Sequence, residues 1–375
     1  MNFSLFSFLN QIQSLFSQAE TPMTDATWQE IPETVRVELE KLITQLPHPS
    51  SQITTIEREV ISRLKEWEAD KYANHLVILG SPVSHLEGLI QASFPQHYLK
   101  EIEVIYPFSD LSFRKQPDQI TQQLKTAIES TTQGHDSRLF QLSQESKSKI
   151  IIIPNLEQCF LRCIGGWEGI IWLREHIVHT PDCFWLLGCN HWSWSFLDYV
   201  CQINAYLEAK INLPNLDSDK LWEWLQPIVE SFIPEEKEKK SSFFWETLAS
   251  LSGGESEVAM ALWLESLQMS VDEEDQDNEE EVTHLKLKTP SLPKLEILSA
   301  EDRYVLHSLL LHGKMTRSSL AMSLGEKQEN IQARIQVLLR DNLIEKRNSF
   351  LSITPLYYPK IKQELSQNNF LIGET

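Results

Sequence analysis

Between residues 71 and 216 the chain switches repeatedly between two hydrophobic periods. Five apolar runs, HLVILG (75–80), EIEVIYP (101–107), KIIIIPNL (149–156), CFWLLGCN (183–190) and KINLPNL (210–216), are separated by stretches with a three-to-four-residue apolar period. The helical period falls over 85–93, in PDQITQQLKTAIES, in GWEGIIWLREHIVH and near WSFLDYVCQ. Near-continuous apolar strands alternating with helices predict a parallel sheet covered on both faces. The pattern therefore predicts an α/β core with a five-stranded parallel sheet over 71–216. HLVILG and KIIIIPNL, the most continuously apolar runs, are expected to be adjacent central strands.

The flanks have other patterns. Residues 28–70 read as a helical extension, broken around Pro32, Pro47 and Pro49 and leading through TTIEREVISRLKEWEADK into the first strand. In the segment 1–27, Leu5, Phe8, Leu9, Ile12, Leu15 and Phe16 would share one face of a helix. That segment is expected to be a helix docked on its own protein or a frayed end. A membrane surface is the alternative for residues 1–18, against which the absence of Lys and Arg argues. After the core, 217–270 reads as a helical lid with a break at Gly253 and Gly254. The segment 271–293 is expected to be a solvated linker, with eight acidic residues in the ten from Asp272 to Glu281, followed by the proline-bearing THLKLKTPSLPKLE. In 294–375 three helices precede a two-strand element. This predicts a winged helix whose second helix is bracketed by Thr316 and Gly325.

Charge narrows the partners. The net charge is −20, but residues 295–375 hold 10 Lys/Arg against 9 Asp/Glu, leaving 23 basic against 44 acidic residues elsewhere. Such a chain has no bulk attraction to nucleic acid or anionic lipid. No apolar stretch approaches the roughly 18 residues of a membrane span, and the first residues lack the basic segment and cleavage site of a secretory signal. All five cysteines fall between 159 and 201. An odd number suits a reduced, cytoplasmic compartment. Cys159, Cys163, His176, His179, Cys183 and Cys189 could be drawn as a zinc site, but no C-x-x-C spacing occurs. They read instead as small buried hydrophobes, and no metal is expected.

The one stretch that raises a question of chemistry is HLVILGSPVSHLEGLIQ, a strand, a glycine, a short loop and a helix. A phosphate-binding loop has the form G-x-x-x-x-G-K-[S/T], in which backbone N–H groups cradle phosphates, Lys meets the β and γ phosphates and the hydroxyl binds Mg²⁺. Gly80 fits the first position. His85 replaces the second glycine, Leu86 the lysine and Glu87 the hydroxyl residue. His85 is expected to be solvated or to cap the helix. Glu87 would repel the phosphates such a loop holds.

Taken in order, the strands, the Gly-Gly lid and the C-terminal helices resemble the STAND and origin-recognition-like branch of the AAA+ ATPases over about residues 71–375. The resemblance implies an additional strand between the two Walker strands. It also implies an Asp after the second of them, where this chain has Pro154, with Glu157 the nearest carboxylate. Asn190 matches the family's sensor position at the fourth strand's end. In the lid, GGESEVAMALWLESL has Glu255 and Ser256 in place of Asn-Pro, and Glu257 where a basic residue would be expected.

If the core is that fold, the Lys, the hydroxyl and the metal-holding Asp are all replaced, and phosphoryl transfer depends on such groups. The expectation is a pseudo-ATPase with no catalytic residue, no bound ATP or Mg²⁺, and a vestigial nucleotide site at Gly80, His85 and Asn190. It would act as a regulator or scaffold on a protein partner, such as an active homologue, with WSWSF (192–196) an anchor if exposed. The alternatives are a DNA-binding regulator using Lys327, Arg334, Arg340, Lys346 and Arg347, whose interspersed acids predict weak binding, and a divergent working ATPase.

Overall fold

Every residue of strands β1 (His75–Gly80) and β4 (Cys183–Asn190) is buried, as strands covered on both faces must be. A computed structural model of the protein describes residues 31–96, 98, 103–105, 117–132, 149–233, 242–270 and 284–370. With β2 (Glu103–Ile105), β3 (Lys149–Ile153) and β5 (Lys210–Asn212), these strands form a parallel sheet in the order β2-β3-β4-β1-β5. The expected adjacency of HLVILG and KIIIIPNL is corrected. β4 lies between them, Trp185 pairing with His75 on one side and with Ile151 on the other. Apolar content reports burial of a strand's faces; it does not say which strand takes its edges.

The period of two divides the strands between two cores. Leu76, Ile78, Ile150, Ile152, Phe184 and Leu186 face one side, against Ile56, Val60, Leu64 and Trp67 of helix α2 (Ser50–Ala69) and against α3 (Leu86–Ser93). Helix α1 (Glu33–Gln45) precedes them. Val77, Leu79, Ile151, Ile153, Trp185 and Leu187 face the other side, against α4 (Pro117–Thr132) and α5 (Glu168–Val178). This second core also takes in α6 (His191–Cys201). Trp192 and Trp194 are 1% and 4% exposed, so WSWSF is packing and not an anchor.

That core runs without interruption into the lid and beyond. The lid helices are α7 (Ser218–Phe232), α8 (Ser242–Ser252) and α9 (Ser256–Glu265). Gly254 has φ +74 and its carbonyl accepts from Leu216 N at 2.8 Å, a conformation and an approach that exclude a side chain. The expected linker is corrected in part. Strand β7 (His284–Leu287) pairs antiparallel with β6 (Leu267–Ser270), and Leu285 is buried, because HLKL alternates apolar with polar and can bury one face. The acidic run before it, like segment 1–27, lies outside the described residues.

The C-terminal unit begins with α10 (Ala300–His312), started by a capping box between Ser299 and Asp302. β8 (Met315–Thr316), α11 (Arg317–Leu324), α12 (Gln328–Arg340), β9 (Ile344–Arg347), β10 (Phe350–Ile353) and α13 (Tyr358–Gln367) follow. The short β8 adds a third strand, in the order β8-β10-β9. Thr316 accepts from Ser319 N to start α11, and Gly325, at φ +69, ends it. No helix among the described residues is long and apolar enough to cross a membrane.

Candidate functional site

The carboxyl edge of the sheet, where open α/β folds gather their ligands, brings three of the singled-out positions together. Gly80 is paired with Asn190, and Pro154 follows Ile153, which is paired with Leu187. Gly188 leaves room for this crowding, since a side chain there would strike the Pro154 carbonyl.

The loop from β1 to α3 closes on itself. Ser84 N donates to Ser81 O at 3.1 Å, Ser81 N donates to Ser84 Oγ at 3.1 Å, and the two hydroxyls are 2.9 Å apart. Pro82 has no N–H to give. Two amides that a phosphate cradle would turn outward, those of Ser81 and Ser84, are thus spent on the loop's own oxygens. Ser84 Oγ also donates to Glu255 Oε2 of the lid at 3.3 Å. A protein carboxylate therefore rests on the loop that would hold an anion.

His85 occupies the N-cap position of α3 without a side-chain capping bond, which corrects the expectation of a capping or solvated residue. It is half-buried, with Nε2 3.9 Å from Glu257 Oε2. Burial, helped by Lys314, His48 and Arg347 nearby, holds the imidazole down at about 3. Burial and the charge of Glu255 push the Glu257 carboxyl up to about 8, against an opposing pull from Arg347. Ion pairing across 3.9 Å would require both to ionise, and desolvation favours both neutral forms. Glu87 faces the cleft, Oε2 accepting from Asn155 Nδ2 at 3.3 Å.

Beyond Pro154 the chain turns through a single 3₁₀ turn, Leu156–Gln158, and this irregularity carries Glu157 back to the edge. Its Oε2 accepts from Asn190 N at 3.4 Å. The Asn190 side chain is also engaged: Oδ1 accepts from Ser193 N at 2.8 Å, capping α6, and Nδ2 donates to Leu311 O at 3.4 Å. Ser193 Oγ donates to the same carbonyl, and Arg162 N donates to His312 Nε2 at 3.1 Å. The last turn of α10 is thereby seated on Asn190 and Ser193. What remains is a cleft of about 290 Å³ between Ser84–Glu87, Pro154–Gln158 and the C-terminal residues Gly313, Lys314 and Ser352. Lys314 lines it and is exposed to solvent. Partial desolvation and Arg347 lower its pKa, with Glu345 and Glu87 opposing.

The basic residues of the DNA alternative do not form a free cationic face. Arg334 lies 3.5 Å from Glu301 and 3.6 Å from Asp302, Arg340 pairs with Asp341 at 3.0 Å, and Arg347 pairs with Glu345 at 3.2 Å. Of the five, only Lys327 and Lys346 are exposed without a salt bridge to another described residue. Among those residues no group of three or more His, Cys, Asp or Glu is placed to hold a metal ion, and Cys159, Cys183, Cys189 and Cys201 are buried.

Sequence reasoning missed Ser81, Ser84 and Lys314. The S-x-x-S spacing was a usable sign of a self-bonded turn, whereas nothing local marks Lys314.

No family model matches this sequence, and no curated protein matches it. Among solved structures, the RuvB Holliday junction branch migration motor of Thermotoga maritima is 14% identical, with 82% of this chain and 94% of that one covered and a TM-score of 0.32. Cdc6p of Pyrobaculum aerophilum is 11% identical over 87% and 96%, with a TM-score of 0.36. The ORC2 protein of Aeropyrum pernix is 11% identical over 84% and 93%, with a TM-score of 0.33. These are similarities of chain path at low identity, and no residue role is transferred from them.

Proposed function

We propose that this protein is a catalytically inactive, ATPase-like regulator or scaffold, ending in a winged helix, that works through contacts with other proteins. The observation that carries this reading is the use of the phosphate-binding positions for internal bonds. The amides of Ser81 and Ser84 bond within the loop, Glu255 rests on Ser84, and Asn190 is committed to Ser193 and Leu311. Leu86 and Pro154 stand where a cation and a metal-holding carboxylate would be needed. The last turn of α10 also aims its carbonyls, the negative end of the helix dipole, at the sensor position, which disfavours a phosphate there.

The divergent-ATPase reading draws on Glu157, which does reach Asn190. One experiment separates the two. The purified chain is melted with and without Mg-ATP, and hydrolysis is measured in parallel. A ligand at 100 times its Kd raises stability by about 2.7 kcal/mol. We expect no shift in Tm and no hydrolysis above background; a Mg-dependent shift that Asn190→Ala abolishes would establish the divergent ATPase instead.

A further inference from the structure

The β1–α3 loop, the lid and the C-terminal unit meet around one lid carboxyl. Glu257 lies in the first turn of α9, with His85 of the loop 3.9 Å away and Arg347 of β9 among the charges acting on it. Glu255, two residues earlier, is fastened to Ser84 and feels Lys362 and Tyr358 of α13. His48 and Lys314 act on His85, and Lys314 in turn faces Glu345 and Glu87. One guanidinium therefore serves two carboxyls, and its bond goes to Glu345 Oε2 at 3.2 Å, while Glu345 Oε1 accepts from Ser352 Oγ at 2.8 Å. Glu257 is left opposite an imidazole beyond hydrogen-bonding distance.

Resting on the reading of the site as nucleotide-free, we propose that Glu257 is a proton-operated clasp. It joins loop, lid and C-terminal unit in the role a nucleotide would otherwise play, closed while the carboxyl carries its proton. With the proton on, a neutral acid packs against a neutral imidazole at the junction, and Glu255 can accept from Ser84. When the proton leaves, a second carboxylate appears beside Glu255 in the same helical turn, in a poorly solvated place. Arg347 is already engaged, and His85 stays neutral because burial opposes its charging. The new charge gains solvation only if the lid turn moves outward. That motion parts Glu255 from Ser84 and widens the cleft between the loop and Gly313–Lys314. The upward displacement of the Glu257 pKa by burial and by Glu255 accords with this arrangement.

Hydrogen exchange of the full chain tests it, from about pH 5 to pH 9 and corrected for the intrinsic exchange rate. The amides followed are those of 83–87, 254–260 and 344–354. An open junction releases one proton that the closed junction keeps, so wild-type protection should fall by up to about tenfold per pH unit and level off near pH 8. Glu257→Gln, which mimics the protonated acid, should hold its protection throughout. Glu255→Gln, which removes the neighbouring charge, should make the fall level off at lower pH. A flat wild-type profile, or the same fall in Glu257→Gln as in wild type, would overturn the clasp. If Glu257→Gln does not fold, the displacement between wild type and Glu255→Gln decides: no displacement overturns it. The same series with Mg-ATP keeps the two readings apart, because protection of 83–87 by Mg-ATP would defeat the nucleotide-free reading while the pH profile judges the clasp.

Discussion

Gly188 sits near the carboxyl end of the fully buried β4 with no space for a methyl group, the Pro154 carbonyl standing where a Cβ would go. Gly188→Ala must push β3 from β4 at the edge that carries Glu157 and Asn190. We expect a loss of about 1–3 kcal/mol, the usual cost of overpacking a core, read as a lowered Tm. The carboxyls of the junction give a second expectation at this scale. Burial holds Glu257 up at about 8 and, despite Arg347, Glu345 up at about 7, whereas glutamates of an unfolded chain ionise near about 4.3. The folded state thus prefers both acids protonated. Their contribution is complete below that lower value and is lost as pH rises to about 8. The position of Glu257 in a helix's first turn favours its ionised form by about 0.3–1 kcal/mol, too little to offset a displacement worth about 1.4 kcal/mol per unit. Tm should therefore fall between about pH 5 and pH 8, and Glu257→Gln should flatten that fall and melt higher than wild type at pH 8. Sequence showed what the loop lacks. It could not show that Glu255 meets Ser84, 171 positions earlier, because that contact depends on how the lid folds back.

At the scale of elements, the runs of apolar residues gave the strands' existence, and the Gly-Gly break marked the turn between α8 and α9. The order of strands was not legible in the same way, since hydrophobicity fixes which faces are covered and leaves edge pairing to the crossovers. The burial of the C-terminal unit was equally hidden. α10 reads as an ordinary helix, yet its last turn supplies the Leu311 carbonyl to both Asn190 and Ser193. Two substitutions distinguish capping from docking. Asn190→Ala removes both the cap on α6 and the bond to Leu311, and should cost about 1–2 kcal/mol as caps and buried bonds do. Asn190→Asp keeps an acceptor for Ser193 N but loses the donor, and places a carboxylate against the Leu311 carbonyl and beside Glu157. It should be at least as destabilising as the alanine, measured by urea unfolding at neutral pH, with extra exchange at α10 that a lost cap alone would not cause. An aspartate variant as stable as wild type would mean that the Leu311 bond contributes nothing.

For the whole molecule, the question is whether the C-terminal unit is a module held out for DNA or part of the body. Its buried residues belong to the same apolar cluster as the core and lid: Leu309, Leu310 and Ile361 share it with Phe160, Trp192 and Trp263. Phe160 packs tilted against His312, with ring centroids 4.8 Å apart, and Trp192 Nε1 donates to Tyr358 Oη at 3.4 Å. A unit anchored this way presents α12 with the turn before it, the turn between β9 and β10, and the end of α13 to solvent. Specific and non-specific duplex binding both draw on cations neutralising phosphates, with affinity falling steeply in salt when six to ten contacts are made. Here Arg334, Arg340 and Arg347 are each beside a carboxylate, which leaves two of the five candidate cations on this face, Lys327 and Lys346, and the chain as a whole carries −20. Screening confines that repulsion to about 10 Å at 0.1 M salt, but it cannot supply the missing contacts. The full chain should therefore bind random duplex no tighter than roughly 10⁻⁴ M at physiological salt, the weak end of non-specific association. A mobility shift at micromolar protein, weakened by added salt and by Lys327→Ala with Lys346→Ala, would reverse this conclusion and make the C-terminal unit a DNA-binding surface.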